Sequence, residues 1–219
     1  MIPLWKKSSQ VFQECAREYD NWFDSSLLFE IEKAAINKLP IQPPRPSLEI
    51  GCGPGRFGKA MQIDYGIDPA LAPLEFARNR GIECCVGIGE TLPFLSNSFR
   101  SVYLLFTLCF LENPIHTLTE CRRILKKNGL LIVGFIPGAS SWGLSLQQKK
   151  KEGNRFYKYC TFYGSSEILE MLSITKFKVV SSVSSLFQPP GNLNRFEYGQ
   201  SGLHPKAGFV VLAAKALTR

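Results

Sequence analysis

Apolar residues recur at helical spacing through the first forty positions. Val11, Cys15 and Tyr19 stand four apart, and Trp22, Phe23, Leu27, Phe29, Ile31, Ala34 and Ala35 carry the stripe onward. This spacing predicts helix over Ser8 to Leu39, with Asp20-Asn21 as a break between two helices. Pro40, Pro43, Pro44 and Pro46 then predict a stiff, extended linker. From Leu48 the pattern changes to short apolar runs separated by amphipathic stretches, which predicts a doubly wound sheet. Strands are expected to end at Ile50 and to cover Tyr65–Ile67, Ile82–Val86, Ser101–Leu108 and Leu130–Phe135. The near-continuous apolar run from Ser101 suits a strand buried on both faces. Helices are expected over Arg56–Gln62 and Leu71–Arg80, and from Asn113-Pro114 to near Lys127, with Asn128-Gly129 as the stop.

The last third departs from this alternation. Pro137 to Gly164 carries glycines and aromatics without a clear period, and predicts a long functional loop. Ser165-Ser166-Glu167 is expected to cap a helix to about Leu172. Lys178–Phe187 and Gly208–Ala216 read as a final antiparallel pair. The fold class is α/β: a doubly wound, mostly parallel seven-stranded sheet with helices on both faces and an antiparallel last strand. One domain is expected over 1–219. Residues 1–46 form a helical lid and linker, 47–136 the core, 137–164 a cap loop and 165–219 the rest of the sheet.

Composition narrows the classes without naming one. A chain of 219 residues, 45% hydrophobic and 20% charged, suits one domain with a full core. The net charge of +8 is scattered, and its clusters at Arg122, Arg123, Lys126, Lys127 and at Lys149–Lys151 read as solvated helix faces. No nucleic-acid partner is expected. The seven cysteines lack C-x-x-C spacing and there are only two histidines, so no metal site is expected. The run Val102–Leu111 is about half the length a membrane span needs. With no signal-type h-region at the start, the expected location is cytoplasmic, with reduced cysteines.

The chemistry concentrates at Leu48-Glu49-Ile50-Gly51-Cys52-Gly53-Pro54-Gly55-Arg56-Phe57-Gly58. A strand running into four glycines predicts a tight turn that leaves backbone N–H groups and a helix N-terminus facing a crevice. Gly53, Gly55 and Gly58 fit G-x-G-x-x-G, a weak dinucleotide signature. Glu49, two residues before the first glycine, argues against that ligand. A pyrophosphate would be repelled by a carboxylate beneath it, whereas a cationic sulfonium amino acid would be attracted. Asp68, about a dozen residues on at the end of the second strand, sits where an acid accepts from ribose hydroxyls. Its other reading is a helix cap beside Pro69. The small residues of Gly87-Ile88-Gly89-Glu90-Thr91 would let backbone reach a base edge.

Taken together, Leu48–Gly55, Gly66-Ile67-Asp68, Gly89–Phe94 and Cys121–Gly129 make residues 48–135 resemble a class I S-adenosylmethionine (SAM)-dependent methyltransferase. The similarity is to the small-molecule, ubiquinone/menaquinone-biosynthesis type (methyltransferase type 11). The resemblance implies a Rossmann-like fold, SAM as cofactor and S-adenosylhomocysteine (SAH) as product. It implies cofactor contacts from Glu49, Gly51, Cys52, Gly53, Gly55, Asp68, Pro69, Gly89, Glu90, Thr91, Phe106 and Thr107. It also implies a small-molecule methyl acceptor. Ile88 departs from the pattern, which usually has Asp there to accept from the adenine amino group. Arg100 replaces a usual Asp outside the pocket.

Methyl transfer from a sulfonium is an in-line displacement in which the enzyme mainly aligns groups and excludes water. Tyr19, Trp22 and Phe23 from the N-terminal helices, with Trp142, Tyr157 and Tyr163 from the cap loop, are expected to close over one acceptor pocket. The same aromatics could instead form a homodimer contact, so monomer and homodimer both stay open. No catalytic base is singled out: His116 reads as structural and His204 as a surface residue. Two rival functions remain: an NAD-linked oxidoreductase, and a methyltransferase fold kept as a non-catalytic binding protein.

Overall fold

The computed structural model describes residues 3–217. The N-terminal third forms α1 (Leu4–Glu14), α2 (Ala16–Asn21) and α3 (Leu27–Asn37). The helical stripe therefore breaks twice, at Cys15 and over Trp22–Ser26. Ser26 restarts it as an N-cap, accepting from Phe29 N at 3.2 Å. After the proline segment come β1 (Ser47–Ile50), α4 (Arg56–Met61), β2 (Tyr65–Asp68), α5 (Leu71–Asn79), β3 (Glu83–Val86) and β4 (Phe99–Leu105). A short 3-10 turn, Leu108–Phe110, precedes α6 (Pro114–Ile124) and β5 (Leu125–Phe135). The chain ends with α7 (Ser141–Lys151), α8 (Ser165–Ile174), β6 (Phe177–Ser185), β7 (Gln200–Ser201) and β8 (Phe209–Ala216).

The strands form one sheet in the order β3-β2-β1-β4-β5-β8-β6-β7. β1 to β5 run parallel, and β8 lies antiparallel between β5 and β6. The order reverses at β1, so a crevice opens beyond the carboxyl ends of β1 and β4. Side chains alternate across β1. Leu48 and Ile50 enter a core beneath α6 and α8, while α3 and α4 cover the opposite face with Ile31, Ala35 and Phe57. No helix among the described residues is long and apolar enough to cross a membrane.

Three expectations need correction. The sheet has eight strands, because two-residue β7 pairs with β6 at the edge. α6 stops at Ile124, not near Lys127. Leu125 already pairs with Phe99, and the ladder resumes only at Leu130 opposite Ser101, so Lys126–Gly129 is a bulge with Asn128 at φ 61°. Pro137–Gly164 is not a loop throughout, since α7 occupies eleven of its residues. The helix is hidden in the sequence because Trp142, Leu144 and Leu146 alternate at spacing two around Gly143. That glycine is needed for packing: a Cβ there would lie 2.2 Å from the Pro137 carbonyl oxygen. Ser140 caps the helix, its hydroxyl accepting from Gly143 N at 3.0 Å.

Candidate active site

The glycine turn is built from positive-φ backbone. Gly51, Gly53 and Gly55 have φ of 71°, 48° and 75°, which side chains rarely tolerate. Contrary to the expectation of free N–H groups, the turn satisfies its own donors. Gly51 N donates to Ile67 O at 2.7 Å, Cys52 N to Ile67 O at 3.2 Å and Gly55 N to Cys52 O at 2.9 Å. Gly53 N donates to Asp68 Oδ2 at 2.9 Å. In the first turn of α4 the Glu49 carboxyl lies against the Gly58 N–H.

Beside this turn a cleft runs along the carboxyl ends of β1, β2 and β4. Gly51, Gly53, Asp68, Pro69, Gly89, Glu90, Phe106 and Thr107 line it, with Gly87 and Ile88 from the loop after β3. Thr107 ties the floor together, donating to Ile50 O at 2.9 Å and Leu105 O at 3.1 Å. Glu90 Oε1 accepts from Glu112 N and Asn113 N, fixing the start of α6 to the loop after β3. Asp68 accepts from Gly53 N with one oxygen and from Ala70 N with the other, at 2.9 Å each. Burial raises its pKa to about 6, against the pull of these two hydrogen bonds.

Four residues expected on this surface lie off it. Glu49 is buried under the turn on the α3/α4 face, because its neighbours Leu48 and Ile50 take the other face. Its Oε2 has no hydrogen-bond partner, and burial raises its pKa well above the carboxylate range. Cys52 points back towards Cys84 and Gly66. Gly55 packs against Ala77 and Ile82. Thr91 is exposed to solvent. The predicted helix from Ser8 begins earlier, at Leu4, and the sequence reading missed that α1 lays Trp5, Ser8, Ser9 and Phe12 along the cleft. A faint signal exists, since Trp5, Ser8, Ser9 and Phe12 follow helical spacing.

A second cavity of about 160 Å³ adjoins the cleft, and Phe12, Tyr19, Phe106 and Phe110 border both. Tyr19, Trp22, Phe23, Tyr157 and Tyr163 line it. The two distant segments meet ring to ring: Trp22 and Phe156 centroids are 4.6 Å apart, and Phe12 and Phe156 5.6 Å. Trp142 does not belong to this set. Its indole N–H donates to Gln188 O at 2.8 Å, and its ring packs on Gly208 at the start of β8. Burial drives the Tyr19 and Tyr157 phenols upward, so both stay protonated at neutral pH. His116 and His204 line neither space; the His204 ring contacts Ser201 O at 3.0 Å.

The N-terminal helices are latched by an ion cluster around the buried Asp20 that the sequence did not reveal. Asp20 accepts from Arg56 Nε at 2.7 Å, Arg56 Nη2 at 2.8 Å and Arg80 Nη2 at 2.8 Å. Arg80 also donates to Pro54 O at 2.7 Å, so α2 is fastened to the glycine turn itself.

Known proteins resemble this chain along nearly its whole length. An uncharacterized protein of Mycobacterium tuberculosis is 36% identical over 204 residues, 91% of this chain and 71% of that one. The crystal structure of a SAM-dependent methyltransferase of Thermotoga maritima, given as a possible histamine N-methyltransferase, superposes with a TM-score of 0.89. It is 30% identical, over 96% of this chain and 100% of that one. The chain belongs to the SAM-dependent methyltransferases. A family model for a methyltransferase domain matches residues 48–133 of this methyltransferase. A demethylmenaquinone methyltransferase of Thermotoga maritima is 27% identical over 140 residues, 58% of this chain and 61% of that one.

The residues of the cleft suit SAM, the cofactor of this methyltransferase. Asp68 sets a carboxylate in the cleft wall, and the N–H groups of Gly51, Cys52, Gly53 and Gly55 are already paired, which suits a ligand without a pyrophosphate. Two expectations follow. SAH affinity should be flat above pH ~6 and fall below it by up to about tenfold per pH unit. The sign follows from Asp68: ribose hydroxyls held by it would favour its ionised form, and protonation would remove acceptors. Calorimetry from pH 5 to 8 reads this, and a profile flat to pH 5 would contradict it. Ile88 is half-buried in the cleft wall. Ile88→Asp should bind SAH as tightly as wild type or tighter, since a carboxylate there could accept from an adenine amino group. A large loss of affinity would show that apolar packing governs this wall.

Proposed function

We propose that this methyltransferase moves the methyl group of SAM to a small molecule held in the aromatic cavity. The observation that carries the reading is the contiguity of cavity and cleft, which share Tyr19 and Phe106 at their border. When bound, SAM supplies a methyl group on a sulfonium, open to in-line attack. The chain's own part is then positioning and exclusion of water. Asp68 would hold the ribose. Gly53, whose missing Cβ would have only the Tyr19 ring within contact at 3.5 Å, would let the methionine half approach the backbone. Gly51, Pro69, Gly89, Glu90 and Thr107 would complete the cofactor wall. Glu49 would act through the turn above it, as a buried carboxyl whose unpartnered oxygen suits a cationic ligand nearby.

Tyr19, Trp22, Phe23, Phe156 and Tyr157 would cover the acceptor and dry the site. The protonated phenols can orient an acceptor by donating hydrogen bonds, but they cannot take its proton.

Titration calorimetry with SAH, SAM and NADH tests the cofactor side. SAH and SAM should bind and NADH should not. Gly53→Val should weaken SAH at least tenfold, about 1.4 kcal/mol, because a branched side chain at positive φ distorts the turn and blocks the approach. A folded Gly53→Val protein with unchanged SAH affinity would remove this placement of the cofactor.

A further inference from the structure

Among the cavity's lining residues one is out of character. Glu32 of α3 is 5% exposed and faces a space walled by aromatic rings. Lys33, its neighbour in sequence, is paired with Glu30 instead. Among the described residues, none gives the Glu32 carboxyl a hydrogen bond or an ion pair, and the cavity lining contains no Lys, Arg or His. Burial alone acts on it, and raises its pKa well above the carboxylate range. Most residues at such a position on α3 are core hydrocarbons; its buried neighbours are Ile31, Ala35 and Ile36. A lone acid in an apolar cavity costs stability unless a ligand completes it.

We propose that Glu32 makes the cavity selective for a cationic amine with an apolar body, the methyl acceptor: the ammonium gives one proton to the Glu32 carboxylate, and the freed nitrogen lone pair forms the N–C bond as the S–C bond of SAM breaks and SAH leaves. The inference rests on the cavity being the acceptor site, as proposed above. An ammonium group satisfies the carboxyl with charge-assisted hydrogen bonds. Its positive charge also suits the faces of Trp22, Phe29 and Tyr157, which share the cavity. A neutral alcohol of the same shape offers neither the charge nor the cation–π contact, and an anion would gain no ion pair from the carboxyl. Specificity is thus set as much by what an unpaired carboxyl rejects as by what it holds. The volume of about 160 Å³ limits the apolar body to roughly one ring with a short arm, since a cavity of ~150 Å³ takes benzene.

The test compares 2-phenylethylamine with 2-phenylethanol by calorimetry at pH 7.5, with and without saturating SAH. In wild type the amine should bind at least tenfold tighter than the alcohol. E32Q should bring that preference below twofold with SAH affinity unchanged, and Glu32→Asp should retain a preference for the amine. An alcohol that binds wild type as tightly as the amine overturns the proposal, whether or not E32Q folds. So does an E32Q protein that keeps the preference. SAH binding with neither ligand bound overturns the acceptor cavity and this inference together. Failure of SAH to bind counts against the cofactor placement alone, because the amine preference is still read on the free protein.

Discussion

Asp20→Ala should lower the stability of the protein by about 3 kcal/mol, the range for removing one partner of a buried ion cluster. Asp20 is 8% exposed in its side chain, and Arg56 and Arg80 about 20% (19% and 21%), so both guanidinium groups would lose their main acceptor while still largely buried. For a domain of this length the melting temperature should fall by roughly 6–12 °C. The damage should concentrate at the N-terminal helices. Arg56 starts α4 and Arg80 also holds Pro54 O, so one aspartate couples α2 to the turn that faces the cofactor cleft. Asp24 keeps a contact with Arg56 at 2.8 Å, but it is 62% exposed and cannot replace a buried acceptor. Methyl transfer should therefore suffer more than fold. Acid should mimic the mutation. Burial pushes the Asp20 pKa up, but hydrogen bonds from Arg56 and Arg80 outweigh it and hold it below 3.8. A depressed carboxyl contributes stability above its unfolded pKa and loses it as pH falls through the folded one, so the latch should release only below about pH 4. Hydrogen exchange over residues 4–24 reads both effects. A melting shift under 2 °C for Asp20→Ala, with unchanged exchange there, would show that aromatic packing alone seats the N-terminal helices.

The parts of this molecule that were legible in the sequence share one property: their chemistry is local. Positive-φ glycines after a strand, Asp68 two residues before Ala70, and Asn113 ahead of Pro114 each act within a few positions. The parts that were not legible act across the chain. Asp20 meets Arg56 and Arg80 at separations of 36 and 60 residues, and nothing around Asp20-Asn21 distinguishes a latch from a helix break. Glu32 reads as one more charge on an amphipathic helix until burial shows it inside. The aromatics of the cap segment divide for the same reason. Phe156 and Tyr157 turn to the N-terminal helices, while Trp142 turns to Gly208, where a Cβ would collide with its ring at 2.1 Å. Aromatic crowding in a sequence signals burial without telling against which face. Glu49 shows the limit of motif reading. Its place in the pattern was clear, but period-two alternation sends it beneath the turn rather than into the cleft.

Asp68→Ala should cost about 2–4 kcal/mol of SAH affinity, a loss of roughly 30- to 1000-fold, from two charge-assisted hydrogen bonds to the ribose. The competing role is visible in the geometry. Asp68 braces the glycine turn through Gly53 N and the approach to α5 through Ala70 N, at 2.9 Å each. Truncation must leave those two donors without their acceptor, so some loss of stability is expected under either role. Stability by itself does not separate them; its dependence on ligand does. In wild type, SAH at 100 times its dissociation constant should add about 2.7 kcal/mol to the unfolding free energy. At that same concentration the Asp68→Ala protein should gain under about 1 kcal/mol, because its dissociation constant has risen to about a third of the ligand concentration or above it. Were Asp68 only a brace, the variant would begin less stable yet still gain most of the wild-type increment. Asp68→Asn adds a second comparison. One amide oxygen can still accept, but the amide nitrogen must then face either Gly53 N–H or Ala70 N–H, donor against donor. Its SAH affinity should fall between wild type and Asp68→Ala, and it should lose the decline below pH ~6 because nothing at position 68 titrates. A pH profile for Asp68→Asn identical to wild type would assign that decline to another group and detach Asp68 from the ribose.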